Sequence, residues 1–181
     1  GTGFSDASWA SGNAQLGYGD GDEATTVSYG SNSSAKYITT YFRKTISVAD
    51  ASIFTNYTLN VKRDDGVVVY INGVEKYRNN MPTGTITYTT GASTTCSDDG
   101  AGFQTTTLAS GSLVTGTNVI AVEMHQVNGS SSDISFDLSL IGNPAGGGAT
   151  LTRGPYLQKG TPTSVVVRWR SNVATNSTVK Y

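Results

Sequence analysis

Two acidic loops hold the densest reactive chemistry in this chain. Asp20-Gly21-Asp22-Glu23 gathers three carboxylates in four residues around a glycine, and clustered hard oxygen donors on a flexible loop are what Ca²⁺ requires. The loop is too short and irregular for an EF-hand. Its other reading is a solvated turn in which Asp20 or Asp22 bonds its own backbone. Asp64-Asp65-Gly66 is the second loop, and its aspartates can equally shape a turn and pair with Arg63 or Arg78. Asp98-Asp99-Gly100 repeats the dipeptide without a following hairpin and reads as a plain loop.

Catalysis has few candidates. A dinuclear metal centre needs several Asp, Asn and His ligands, and the chain has one histidine. His125 follows Glu123 on one strand face, a spacing that suits a cross-strand hydrogen-bonded network better than a base and its orienting partner. No serine sits in a recognisable nucleophile elbow, and Cys96 has no basic cluster in sequence to activate it. The chain is therefore expected to be noncatalytic. Sugar binding is better supplied, since it needs aromatic faces with amide or carboxylate partners. Tyr41 should face away from a core containing Phe42, while Tyr18 and Tyr77 lie beside acidic or Asn-rich loops. Asn79 and Asn80 offer amides for hydroxyl groups, or they simply end a hairpin. Trp9, Tyr29 and Tyr88 complete the available rings. Ordinary packing at strand ends is the alternative for every one of them.

The elements that must position these residues are strands. Val67 to Ile71 is an unbroken apolar run, followed by Asn72-Gly73, the dipeptide that best tolerates the positive φ angles of a two-residue hairpin, and by Val74 to Arg78 as the return strand. Such a run implies a strand covered on both faces. Elsewhere the period is two. Ile38, Phe42 and Ile46 alternate with Tyr37, Tyr41 and Arg43; Tyr57, Leu59 and Val61 repeat the pattern; Ile120, Val122 and Met124 oppose Ala121, Glu123 and His125. Ile134, Phe136, Leu138 and Leu140 read as the closing strand of the first domain. The fold class is all-β, an antiparallel sandwich with residues 1–141 in the first domain, a Gly-rich linker over 142–149, and the first strands of an incomplete second β domain over 150–181.

Composition supports many short strands joined by tight turns. There are 22 glycines and 10 tyrosines, and charged residues make up only 14%. A net charge of -1 gives no field to gather nucleic acid or an anionic membrane. No apolar run reaches the roughly 18–20 residues of a membrane helix, and any export leader is expected to lie upstream or to have been removed. A Ser/Thr/Asn/Gly-rich, Lys-poor surface points to an extracellular or periplasmic location.

The segments at 9–30 (WASGNAQLGYGDGDEATTVSYG), 38–46 (ITTYFRKTI), 63–82 (RDDGVVVYINGVEKYRNNMP), 117–126 (TNVIAVEMHQ) and 131–140 (SSDISFDLSL) resemble the galactose-binding-domain-like jelly rolls that serve as accessory modules in large secreted bacterial proteins. The aspartates before the hairpin are similar to the calcium-and-sugar loop of PA14-like lectin domains. That resemblance implies Ca²⁺ at Asp64 and Asp65, with Asn72 as a further candidate, and an ion that bridges to sugar hydroxyls. Residues 152–181, TRGPYLQKGTPTSVVVRWRSNVATNSTVKY, resemble the start of the fibronectin-III-like domain of purple acid phosphatase-type metallophosphoesterases. Together the resemblances imply a carbohydrate-binding or adhesive module, with a glycan or cell-surface polymer as partner and downstream domains on the same polypeptide. The competing expectations are a spacer whose tail strands pair with a neighbouring chain, and a part of the hydrolase unit itself.

Overall fold

The protein is described here by a computed structural model covering residues 3–145, 151–161 and 164–171. It divides into two units, Gly1–Asn143 and Pro144–Tyr181. The first contains β1 (Leu16–Tyr18), β2 (Thr25–Thr26), β3 (Thr39–Val48), β4 (Phe54–Arg63), β5 (Gly66–Ile71), β6 (Val74–Asn79), β7 (Phe103–Ala109), β8 (Gly116–His125) and most of β9 (Ile134–Pro144). Among the described residues the only helical element is a 3₁₀ turn at Ser110–Ser112. The strands form a five-stranded sheet in the order β2-β1-β9-β4-β7 and a four-stranded sheet in the order β3-β8-β5-β6. β1 and β2 run parallel, while β1–β9, β4–β7, β3–β8, β5–β6 and β5–β8 are antiparallel. The protein is an all-β sandwich.

Its core follows from the period of two. Tyr57, Leu59 and Val61 of β4 meet Val67, Val69 and Ile71 of β5, Ile120, Val122 and Met124 of β8, and Phe136 of β9. Burying a side chain the size of Leu59, Ile71 or Met124 contributes about 1.5–3 kcal/mol. Phe42 stacks on Phe136 with ring centroids 4.4 Å apart, joining one sheet to the other. Val67, Val68 and Val69 are all fully buried, so β5 is covered on both faces.

The β5–β6 turn uses the left-handed backbone that its residues favour, with φ of 52° at Asn72 and 82° at Gly73. Asn72 also ties this turn to β8. Its Nδ2 donates to Asn118 Oδ1 at 2.9 Å, and its Oδ1 accepts the Val119 amide at 2.9 Å. Asn118 in turn accepts the Val114 amide at 2.9 Å and donates to the carbonyls of Val114 and Gly116.

β9 continues through Gly142 and Asn143 to Pro144, where the sequence suggests a linker. The reason is local packing: a Cβ at Gly142 would fall 2.5 Å from the Phe54 ring, and Asn143 Nδ2 donates to Asn56 Oδ1 at 2.7 Å and Thr58 Oγ1 at 3.0 Å. In the second unit β10 (Leu151–Thr161) and β11 (Ser164–Ser171) form an antiparallel pair. Residues 146–149 of the expected linker and residues 150, 162–163 and 172–181 of the expected second β domain lie outside the described residues.

Replacing Asn118 with Ala orphans the Val114 amide and Asn72 Nδ2. The expected loss is about 2 kcal/mol in urea unfolding; an unchanged midpoint would show that the turn holds without this network.

Candidate functional site

Asp64 and Asp65 stand at the entrance to β5 and are buried, at 4% and 2% exposure. Asp65 Oδ1 accepts the Cys96 amide at 2.8 Å; Oδ2 accepts the Val127 amide at 2.8 Å and the Ser131 hydroxyl at 3.3 Å. Its carbonyl accepts Arg63 Nη1 and Asn80 Nδ2. Asp65 therefore holds two loops against the start of β5. Asp64 donates its amide to the Ser135 carbonyl at 3.1 Å. Burial, then contact with the Asp65 carboxylate and the charges of Asp65 and Asp133, raises the Asp64 carboxyl far above the ordinary carboxylate range.

The first acidic loop is split between two tasks. Glu23 accepts the Asp20 and Gly21 amides, each at 3.0 Å, and Asp22 accepts Gln15 Nε2 at 2.9 Å. Asp20 turns the other way and accepts the Ser135 hydroxyl at 2.6 Å. Two groups of carboxylates have ligand oxygens within 4.8 Å of one another: Asp20 with Asp22 and Glu23, and Asp20 with Asp99 and Asp133. In sequence Asp99 reads as part of a plain loop, and Asp133 is not singled out. Asp133 immediately precedes β9, after a serine run that looks like any strand start, and no local signal distinguishes it.

Several expected sugar contacts are occupied by the protein itself. Tyr18 is buried, and its hydroxyl accepts Gln126 Nε2. Tyr77 packs against the core. Asn79 Oδ1 accepts Arg63 Nε, and Asn80 bonds Thr94 through both ends of its amide. The amide of Asn72 belongs to the turn described above.

Tyr41 differs, at 43% exposure. It lies opposite Glu123 in the β3–β8 ladder, and both Arg43 and Tyr70 lie opposite Ala121, which puts these side chains on the outer face of the four-stranded sheet. Asp6 clamps Arg43 at 2.9 Å and so draws the N-terminal segment over this face. Phe4 and Trp9, with ring centroids 5.6 Å apart, form one wall of a groove of about 470 Å³ whose floor includes Tyr41, Tyr70 and Glu123. On the other side of Tyr41 a second depression of about 550 Å³ is lined by Tyr37, Tyr88 and Lys36. Burial, then the Glu123 charge, raises the phenol pKa values of Tyr41 and Tyr70, so both stay neutral hydrogen-bonding groups at ordinary pH.

His125 is fully buried, with Nδ1 2.9 Å from Thr39 Oγ1 and 2.8 Å from the Thr90 carbonyl, and Nε2 3.3 Å from Glu123 Oε2. Every ring nitrogen thus has a protein partner. Burial and the hydrogen bond to Asp98 push the Cys96 thiol upward, the reverse of what activates a nucleophile. Compared with known proteins, the chain matches no family model, no curated protein and no solved structure.

Burial, reinforced by the Asp133 and Asp65 carboxylates, pushes the Tyr18 phenol up to about 12. The unfolded chain ionises Tyr18 at about 10, so its contribution to stability is complete below that pH and is lost as pH rises toward 12. Tyr18→Phe should be about 1 kcal/mol less stable than wild type at pH 7, and the gap in urea midpoints should close between pH 10 and 12. A constant gap across that window would contradict the assignment.

Proposed function

We propose that the first unit is a noncatalytic carbohydrate-binding module of a secreted multidomain protein, with its ligand lying across the outer face of β3, β8 and β5. The observation that carries this reading is the groove in which exposed Trp9, Tyr41 and Phe4 rings stand beside Arg43 and Glu123. Aromatic faces stack on the apolar C–H patches of a sugar ring. The Glu123 carboxylate beside them accepts from sugar hydroxyl groups. Because Tyr41 borders both depressions, a chain of several sugar units can follow the row of rings from Phe4 and Trp9 toward Tyr37 and Tyr88. Each depression falls in the range of about 300–1,000 Å³ common for ligand sites.

The ligand is a glycan or cell-surface polymer, and the location is extracellular or periplasmic. The parent is a metallophosphoesterase, a reading supported by the resemblance of residues 152–181 alone.

A glycan array probed with the purified chain, followed by calorimetry on the best oligosaccharide, tests the module directly. Trp9→Ala and Tyr41→Ala should each weaken binding about tenfold, since losing a stacked ring costs around 1.4 kcal/mol. Glu123→Gln should weaken it similarly, and Tyr77→Phe should leave it unchanged. Absence of glycan binding at millimolar concentration, or unchanged affinity in both ring variants, would remove the proposal and leave the spacer as the better account.

A further inference from the structure

We infer that Asp20, Asp99 and Asp133, brought together from three loops, form a binding site for one Ca²⁺ ion. Asp133 carries the argument. It is only 6% exposed, its Oδ1 is taken by the Ser132 hydroxyl, and its Oδ2 has no hydrogen-bond partner. A buried carboxylate oxygen without a donor is costly unless a cation compensates it. What faces Asp133 instead is more negative charge. One oxygen each of Asp20, Asp99 and Asp133 falls within a 4.8 Å cluster.

The backbone is built to permit this crowding. Gly19 has φ of 114°, and a Cβ there would sit 2.5 Å from Asp133 Cβ; Gly100 has φ of 65°, and a Cβ there would sit 2.5 Å from Ser135 Cβ and 3.3 Å from Asp64 Cβ. Each glycine adjoins one of the acids, Asp20 or Asp99, and a side chain in its place would push that acid away from the others. The remaining acids of the first loop are already satisfied: Asp22 by Gln15, Glu23 by two backbone amides. The convergent set is thus distinct from the Asp20-Asp22-Glu23 loop and from a site on Asp65.

The donor set selects the ion. All three ligands are carboxylate oxygens on loops, with neither His nor Cys among them, which suits a hard cation that accepts irregular geometry and completes its shell with carbonyls and water. Ca²⁺ there would fasten the loops at 19–20, 99–100 and 133 to one another. The inference is independent of the sugar groove, which shares none of these residues.

Calorimetric titration of CaCl₂ into the EDTA-stripped, dialysed full chain should give one site per chain and a raised melting temperature. Asp133→Asn should abolish the heat, Asp99→Asn should weaken binding at least about tenfold, and Asp22→Asn should bind as wild type. Asp99 is exposed, so its variant decides the matter if Asp133→Asn fails to fold. No binding up to about 10 mM CaCl₂, above the range of extracellular Ca²⁺ modules, would overturn the inference in favour of carboxyls sharing protons. Equal affinity in wild type and Asp99→Asn, or loss of binding in Asp22→Asn, would overturn it as well.

Discussion

The buried carboxylate of Asp65 is the interaction on which the loop end of this sandwich depends. It accepts backbone amides from Cys96 and Val127, two segments far apart in sequence, at the point where β5 enters the core. Removing such an acceptor would leave two amides unpaired in a dry environment. Because it is satisfied, the loops at 96–100 and 127–133 close over Asp64, and the neighbouring acids approach more closely than their charges favour. The same closure covers His125 and Ser135, which a strand pattern alone would put at a surface, and brings them to 0% and 1% exposure.

One consequence is a division of labour within the first unit. At the loop end, the polar side chains are turned inward: Asn80 bonds Thr94, Gln126 bonds Tyr18, Asp65 bonds the loops. The outer face of the four-stranded sheet keeps its rings accessible, with Tyr41 at 43% and Trp9 at 39% exposure, while Arg43 is held by Asp6 and Glu123 faces His125. Stacking needs ring faces that the protein has not already covered. That face provides them.

Much of the sandwich was legible in the sequence because its signals are local. The β-branched run at Val67 to Ile71 and the Asn72-Gly73 turn each declare their geometry within a few residues, and the alternation in β4, β8 and β9 names the core. The outward side of β3, with Tyr41 and Arg43, was legible too. What the pattern omits is register, so the meeting of Tyr41 with Glu123 and of Arg43 with Ala121 required the ladder. Phe4 became part of the groove only through the Asp6–Arg43 ion pair, a contact across 37 residues. Asp99 and Asp133 gave no signal, since an Asp-Gly turn and a serine-rich strand start look alike whether or not other acids converge there. The run of β9 to Pro144 was obscured because Gly142 suggests a break in sequence, although its missing side chain is what lets Phe54 pack against it.

The central claim is that the outer sheet face, rather than the loop end, meets the ligand. It is tested most directly by ¹H–¹⁵N correlation spectra of the labelled chain during titration with a bound oligosaccharide. The account predicts shifts concentrated at the Trp9 indole N–H and at the amides of Tyr41, Ala121 and Glu123. Shifts confined to Asn72, Asn79 and Asn80, with the sheet face silent, would contradict it.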